Sequence, residues 1–543
     1  MSEGGTIGGA RPMGARPGMG RPGGGPGGGF PGGHGGRRGG PDLTTGPIGK
    51  TLITFALPVL GSNILQSLNG SANAFWVSHV LGEAGLTAVN NANQIFFMML
   101  GAAFGVTMAA NILIGQSVGA RDEATARKVV GTASTFFLFI SLAIGIAGGI
   151  LTPHILDAMK TPADARIDAI AYLRVIFAAM PFMFFFNFVM MAQRGAGDSR
   201  TPFYFALLQV GLDVVLNPLL LMGIGPFPKL GIAGSAVSTL IAQTVTLAMM
   251  IIHLYRTRSI LALRPADWRL LIPDLKIIWT LLAKGTPMGV QMMVISLAAV
   301  TMLSFVNSYG VHTSAAYGAA SQLWTYVQMP AMALGAACSS FAAQNVGAGK
   351  MDRVERVARI GAMYAILFTG TPILILELAD PVVLQAFLPS TSPSLPIAVH
   401  INHFVLWGFI PFGMAFILSG IVRATGAVWP PLFGMFVSLW VVRVPFAKAL
   451  EPHLHADAIW LAFPIGSATT LLLALAYYFY DGPLGWRRAR MLDLTPSADA
   501  PDTGLGQPMM DESEVIIAEE ERELAAKPSP SAPNRPKSEA PAE

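Results

Sequence analysis

Cysteine is all but missing from this 543-residue chain: the one instance, Cys338, sits in an apolar run and so excludes an internal disulfide and any cysteine-ligated zinc or iron-sulfur centre. Charge is scarce too. Only 12% of the residues are Asp, Glu, Lys or Arg, where a soluble globule carries about 25%, and that shortfall excludes a large water-facing enzyme. Catalytic signatures are also lacking: no HExxH, no Gly-rich phosphate loop ending in Lys-Ser/Thr, and no credible Ser/His/Asp set. The Gly-rich N-terminus has neither the strand nor the helix that a nucleotide loop needs. Without a nucleotide site, work done by this chain must draw on an ion gradient. What fills the sequence is hydrophobic residues, 52% of the total, with a mean hydropathy of +0.54. That balance is the mark of a polytopic membrane protein.

Three regions follow from composition. Residues 1–47 are rich in Gly, Pro and Arg, offer little apolar surface to offset ordering entropy, and read as a disordered tail with at most weak attraction to anionic lipid. Residues 481–543, with Pro, Ser and the acidic run Glu519-Glu520-Glu521-Arg522-Glu523, read the same way. Between them the sequence predicts twelve apolar spans, near 50–79, 86–117, 128–152, 168–193, 202–224, 231–255, 279–308, 315–343, 355–378, 396–422, 430–450 and 457–480. Lys and Arg crowd the loops that follow even-numbered spans, such as Arg121, Arg127, Lys128, Arg256, Arg258, Arg269, Lys350 and Arg353, which predicts that both termini are cytoplasmic in a bacterial inner (plasma) membrane. The basic stretch 256–278, holding Trp268, is expected to be an interfacial linker helix between an N-terminal lobe (48–255) and a C-terminal lobe (279–480).

The two lobes repeat each other. An offset of 229 residues carries Pro58 onto Pro287, Arg194 onto Arg423, Gly197 onto Gly426 and Pro202 onto Pro431, and an offset of 228 carries Gln116, Gly119 and Ala120 onto Gln344, Gly347 and Ala348. Matches of Gly and Ala between apolar segments mean little, but Arg, Gln and Pro at one offset do not arise from shared composition. Because each unit holds an even number of helices, the copies enter the membrane in the same sense. The expected fold is therefore an all-α membrane protein with twelve transmembrane helices in two six-helix bundles, related by a pseudo-two-fold axis along the membrane normal. That geometry suits alternating access to a cavity between bundles.

One ionisable residue is out of place. Asp213 lies near the middle of the fifth span, where a carboxylate costs several kcal/mol and is a functional candidate by default. Asn217 follows one turn later on the same face, and Pro218, with no amide to donate, frees a backbone carbonyl there. Together these oxygens could receive a proton or Na⁺, so Asp213 and Asn217 are the candidate metal site. Asn73 and Ser71 on the first span, Asn90, Asn91 and Asn93 on the second, and Ser238, Thr239 and Gln243 on the sixth could line the same cavity or fasten helices. In the second half, Gln291, Met292 and His403 are candidate cavity-lining residues, and His400 shares a helix face with His403 in a spacing that suits either proton relay or packing. Pro58 lies several residues into the first span and permits a bend there.

The runs Phe55-Ala56-Leu57-Pro58, Asn73-Ala74-Phe75-Trp76-Val77, Gly115-Gln116-Ser117-Val118-Gly119-Ala120 and Arg194-Gly195-Ala196-Gly197-Asp198 resemble the first half of multidrug and toxic compound extrusion (MATE) transporters, and Gln344-Asn345-Val346-Gly347 with Arg443-Val444-Pro445 resemble the second. The resemblance covers roughly residues 48–485. It implies export of lipophilic, often cationic small molecules in exchange for H⁺ or Na⁺, and neither enzymatic activity, a further cofactor nor a nucleic-acid partner. It also implies roles for Asn73, where relatives commonly carry Asp, for Asp213 and Asn217, where relatives carry Asn then Asp, for Thr239 beside the cation, and for Pro58 as the first-helix hinge. A second-lobe Glu found in some relatives is replaced here by Ile295, with Gln291 a turn earlier. A monomer in the bilayer is the expected assembly. Two rival readings are a lipid-linked oligosaccharide flippase, which several intracavity Arg or Lys residues would favour, and a non-transporting membrane receptor or scaffold.

Overall fold

Segments that must satisfy every backbone N–H and C=O without water have few options, and each apolar run of this chain takes the helical one. The computed structural model describes residues 42–158, 163–263 and 265–485, with most side chains between 82 and 102 outside what it describes. Both expected tails therefore lie largely outside the described residues, as do the side chains of Asn90, Asn91 and Asn93. The first half consists of α1 (Ile48–Gly119), which holds two of the expected spans, α2 (Glu123–Ala158), α3 (Ala163–Gly195), α4 (Arg200–Met222) and α5 (Ile232–Arg256). The second consists of α6 (Leu275–Asn307), α7 (Val311–Gly347), α8 (Met351–Leu384), α9 (Ser394–Val405) with α10 (Phe409–Ala424), α11 (Trp429–Phe436) with α12 (Val444–Leu454), and α13 (Asp457–Gly485).

Ten stretches among the described residues are long and apolar enough to cross a membrane, counting α9 with α10 and α11 with α12 as one each. The second part of α1 and the whole of α7 complete the expected twelve spans. α7 is less apolar because it faces protein rather than lipid: nearly every residue from Ala331 to Val346 is buried.

The first two expected spans share α1, which covers 72 residues and would be about 108 Å long if straight. Yet both of its ends meet one place on α7. The Leu43 amide, just before α1, donates to the Gln344 side chain, and Gly119 at the far end lies against the Gln344 carbonyl. α1 therefore doubles back on itself as a hairpin. Order also begins earlier than the expected boundary at 48: Leu43 is fully buried, and its carbonyl accepts from Asn345 Nδ2. Lys350 donates to the Thr44 carbonyl, and Arg353 to those of Thr45 and Gly46.

The expected linker helix is corrected as well. Between α5 and α6 the only regular element among the described residues is a 3₁₀ turn, Pro265–Leu271. Pro265 and Pro273 explain the difference, since proline withholds an amide and pushes the residue before it out of the helical region. Two spans carry interior irregularities that periodicity did not predict: a 3₁₀ turn (Leu406–Gly408) joins α9 to α10, and a π-helical segment (Val437–Arg443) joins α11 to α12.

The repeat is visible as two-fold packing. A Cβ on Gly119 would stand 1.9 Å from the Gln344 carbonyl oxygen, and a Cβ on Gly347 would stand 1.9 Å from that of Gln116. Gln116 Nε2 donates to the Ala424 carbonyl at 2.7 Å, and Gln344 Nε2 to the Gly195 carbonyl at 2.8 Å. Each contact is the other's image at the sequence offset. The turns that follow agree: Ala120, Arg121 and Asp122 donate to Gln116, Val118 and Ser117, as Ala348, Gly349 and Lys350 donate to Gln344, Val346 and Asn345.

In those turns the left-handed position is Gly349 (φ 71°) in one copy and Arg121 (φ 59°) in the other. A side chain there costs roughly 1–2 kcal/mol relative to glycine. Arg121→Gly is therefore expected to stabilise the protein by about 1 kcal/mol, read as a higher midpoint of thermal unfolding in detergent. An unchanged or lower midpoint would show that the Arg121 side chain contributes more than its backbone strain removes.

Candidate functional site

Asp213 is fully buried on α4. Its carboxylate accepts from Asn69 Nδ2 at 2.9 Å and Asn73 Nδ2 at 3.4 Å, both on α1, and from Ser238 Oγ at 2.6 Å and Thr239 Oγ1 at 3.1 Å, both on α5. All four donors are neutral. No lysine, arginine or histidine pairs with Asp213 among the described residues, and the carboxylate faces the junction of three helices rather than the acyl chains. A buried negative charge held by neutral dipoles alone retains its attraction for a cation, because no fixed countercharge has spent it.

Asn217, also fully buried, donates through Nδ2 to Asn73 Oδ1. That bond joins α4 to α1 a second time and fixes which way each amide points. It leaves Asn217 Oδ1 buried without a partner, and Asn69 Oδ1 is in the same condition. Pro218 lies inside α4 and cannot donate to the Val214 carbonyl one turn before it. The cluster thus holds a carboxylate and spare carbonyl-type oxygens, the donor set that hard cations prefer. A protonated Asp213 would find acceptors in the same spare oxygens.

Four residues predicted from sequence, Asp213, Asn217, Asn73 and Thr239, are brought together here, and Ser238 joins them. Asn69 was missed. Its signal was available, one helical turn before Asn73 on the same face. Ser71 is exposed and does not take part. Pro58 lies inside α1, and its carbonyl accepts from Ser62 Oγ. It stands between the pinned start of α1 and the two asparagines that hold Asp213.

The second-half candidates do not join this cluster. Gln291 is buried and accepts from Arg423 Nη1 at 3.1 Å. Met292 is half-buried on α6, with its Cβ toward Gly101 of α1. His403 is exposed and paired with Glu377, while His400 pairs with Asp457. The repeat offset carries Asn69, Asn73 and Asp213 onto Ala298, Met302 and Val442, which are apolar. Next to Val442 stands Arg443, its guanidinium 3.4 Å from the Phe463 ring centroid. The two halves therefore differ most where the first holds its acid. A second buried carboxylate, Asp380 on α8, lies just past the expected span 355–378; it accepts from Asn402 Nδ2 at 2.7 Å, and Asn402 Oδ1 accepts from Trp324 Nε1 at 2.9 Å. That chain ties α7, α8 and α9 together.

Known proteins place this arrangement in a family. The MatE family profile matches twice, over residues 58–219 and 287–448, and the two matches stand at the same 229-residue offset as the internal repeat. Over 432 residues the chain is 35% identical to the "Probable multidrug resistance protein YoeA" of Bacillus subtilis (strain 168), covering 79% of this chain and 93% of that one. It is 30% identical over 443 residues to the "Probable multidrug resistance protein YpnP" of the same organism, covering 81% and 96%. Among solved structures, "Crystal structure of MATE in complex with MaL6" superposes with a TM-score of 0.75 at 21% identity, covering 80% of this chain and 96% of that one. The doubled profile, the relatives and the shared fold make this chain a member of the MatE family, a multi-pass membrane protein built as its transporters are.

Proposed function

We propose that the protein is an antiporter that exports lipophilic, often cationic small molecules in exchange for H⁺ or Na⁺, with Asp213 as the receiving group. The observation that carries this reading is the buried Asp213 carboxylate, ringed by neutral donors, with no cationic partner among the described residues and with the spare oxygens of Asn69 and Asn217 beside it. The names of the relatives, multidrug resistance proteins, support the export of foreign compounds. The basic end of the molecule, where Gly119 crosses Gly347, is tightly packed; in this reading that end is cytoplasmic, in a plasma membrane, and the chain acts as a monomer.

In this reading the ion and the drug favour different states of one cavity, so each lowers the other's occupancy by the same coupling factor. α1 transmits the effect. It carries Asn69 and Asn73 at the ion, Pro58 as the hinge, and a start pinned to α7 and α8. The test is dye transport by proteoliposomes under a H⁺ gradient or a Na⁺ gradient imposed separately. Transport driven by neither would overturn the reading.

Pro58→Ala probes the hinge. A proline inside a helix costs about 3 kcal/mol relative to a continuous hydrogen-bond ladder, so its removal favours a straight α1. Turnover is expected to fall several-fold while the thermal midpoint holds or rises. Unchanged turnover would remove Pro58 from the cycle.

A further inference from the structure

Between α5 and α6 the chain leaves the membrane-spanning segments, yet it displays large apolar side chains: Trp268 is 69% exposed, Ile272 71%, and at the start of α6 Leu275 and Trp279 are 79% and 72%. The segment is not loose. Thr135 Oγ1 of α2 donates to the Leu271 carbonyl, and the Asp274 amide donates to Thr132 Oγ1. Gly131 of α2 lies so close to the Leu270 carbonyl that a Cβ there would stand 2.4 Å from it. A docked, rigid segment thus presents two tryptophans outward.

Its charges are sorted by sign. Both acids turn toward the protein. Asp267 pairs with Arg127 of α2. Asp274 pairs with Lys128 and caps α6 by accepting from the amides of Lys276 and Ile277. The Lys128 ammonium beside it holds the Asp274 carboxyl below the usual carboxylate range. The cations turn the other way. Arg256, Arg258, Arg269 and Lys276 are exposed, and none forms an ion pair among the described residues.

From this sorting we infer that the α5–α6 connection is a docking surface for the anionic phospholipid headgroups of the leaflet in which it lies. Tryptophan settles at the headgroup level because its ring is amphipathic, and clustered Lys and Arg beside it attract acidic lipid. The inference does not depend on the transport reading, since binding to lipid requires no gradient. Neutral lipid would leave the four cations without partners, and a protein partner would not call for exposed aromatics at the membrane boundary.

The test uses the full chain in detergent, titrated with phosphatidylglycerol or phosphatidylcholine. Bound lipid is counted by native mass spectrometry and the thermal midpoint is followed in parallel. Phosphatidylglycerol is expected to bind and raise the midpoint, with its affinity lowered about tenfold in Arg269→Gln/Lys276→Gln. Arg200→Gln/Arg356→Gln removes equal charge from exposed positions elsewhere at the basic end and is expected to leave the affinity unchanged. Trp268→Ala/Trp279→Ala is expected to weaken binding without altering net charge. Equal losses in the two charge variants, equal binding of phosphatidylcholine, or equal protection by soluble glycerol phosphate would each overturn the proposal.

Discussion

Asp213→Asn is expected to abolish gradient-driven transport, by tenfold or more, while the protein still folds. The asparagine keeps the shape of the carboxyl group and one of its acceptor oxygens. Asn69, Asn73, Ser238 and Thr239 therefore retain a common partner. The negative charge and the ability to take up a proton are both lost. Asp213→Ala differs in kind: it takes the acceptor from Asn69 and Asn73 while Ser238 and Thr239 keep the Ser235 carbonyl, and each unmet donor costs about 1–3 kcal/mol, so poor expression is expected from it and says nothing about coupling. The decisive measurement compares Asp213→Asn with the parent in proteoliposomes, following drug transport under an imposed gradient and drug binding without one. Binding retained with transport lost identifies Asp213 as the coupling group. Transport retained at the parent's rate would leave the acid a structural fastening between α1, α4 and α5.

A weaker effect is expected at the spare oxygens, and it separates the two ions. Asn217→Ala removes one oxygen that a bound Na⁺ could use and also the donor to Asn73 Oδ1. A metal ion needs several oxygens at once, whereas a proton needs only the carboxylate. Sodium-driven transport should therefore suffer far more than proton-driven transport in that variant.

Asp213 was legible in the sequence because a charge inside an apolar run stands out whatever the fold. Its ring was half legible. Asn73 and Thr239 stand out as polar residues within spans and take their place beside the cation from the resemblance, but Asn69 does not stand out, because a neutral amide in a span costs little enough to be ordinary. Asp380 shows the opposite failure. It lies just past the expected span 355–378, near the end of α8, and its burial comes from packing against other helices, one of which supplies Asn402. The twelve spans and the repeat followed from hydropathy and from the offset, both local properties. The pinned segment from Leu43 to Gly46 did not, since its partners Gln344, Asn345, Lys350 and Arg353 are some three hundred residues away in sequence. The linker was misread because amphipathic composition outweighed Pro265 and Pro273.

Gly119→Ala and Gly347→Ala are expected to have large and matching effects. At each position an added Cβ would stand 1.9 Å from a backbone carbonyl oxygen of the other half, far inside the 3.0 Å that real Cβ atoms respect. Backbone on both sides of the crossing is helical and cannot yield as a flexible side chain would, so the halves must part at the basic end by about an ångström or more. The neighbouring contacts depend on the same closeness. Gly105 lies against the backbone of Gly285 and Gly289, and the Gln116 and Gln344 side chains reach across to carbonyls of α10 and α3. Either substitution should therefore hold the basic end ajar and stop the cycle, leaving the Asp213 cluster intact. Ala343, fully buried beside Gly115, reports the opening. With Cys338→Ala removing the native thiol, Ala343→Cys should resist an impermeant maleimide applied from the basic side in the parent and react at least tenfold faster in each glycine variant. Equal responses from Gly119 and Gly347 would follow from the two-fold relation between the halves, since each residue is the other's image. Labelling and transport left unchanged in both would mean that the halves do not close on this crossing, and the mechanism would have to be sought away from the axis.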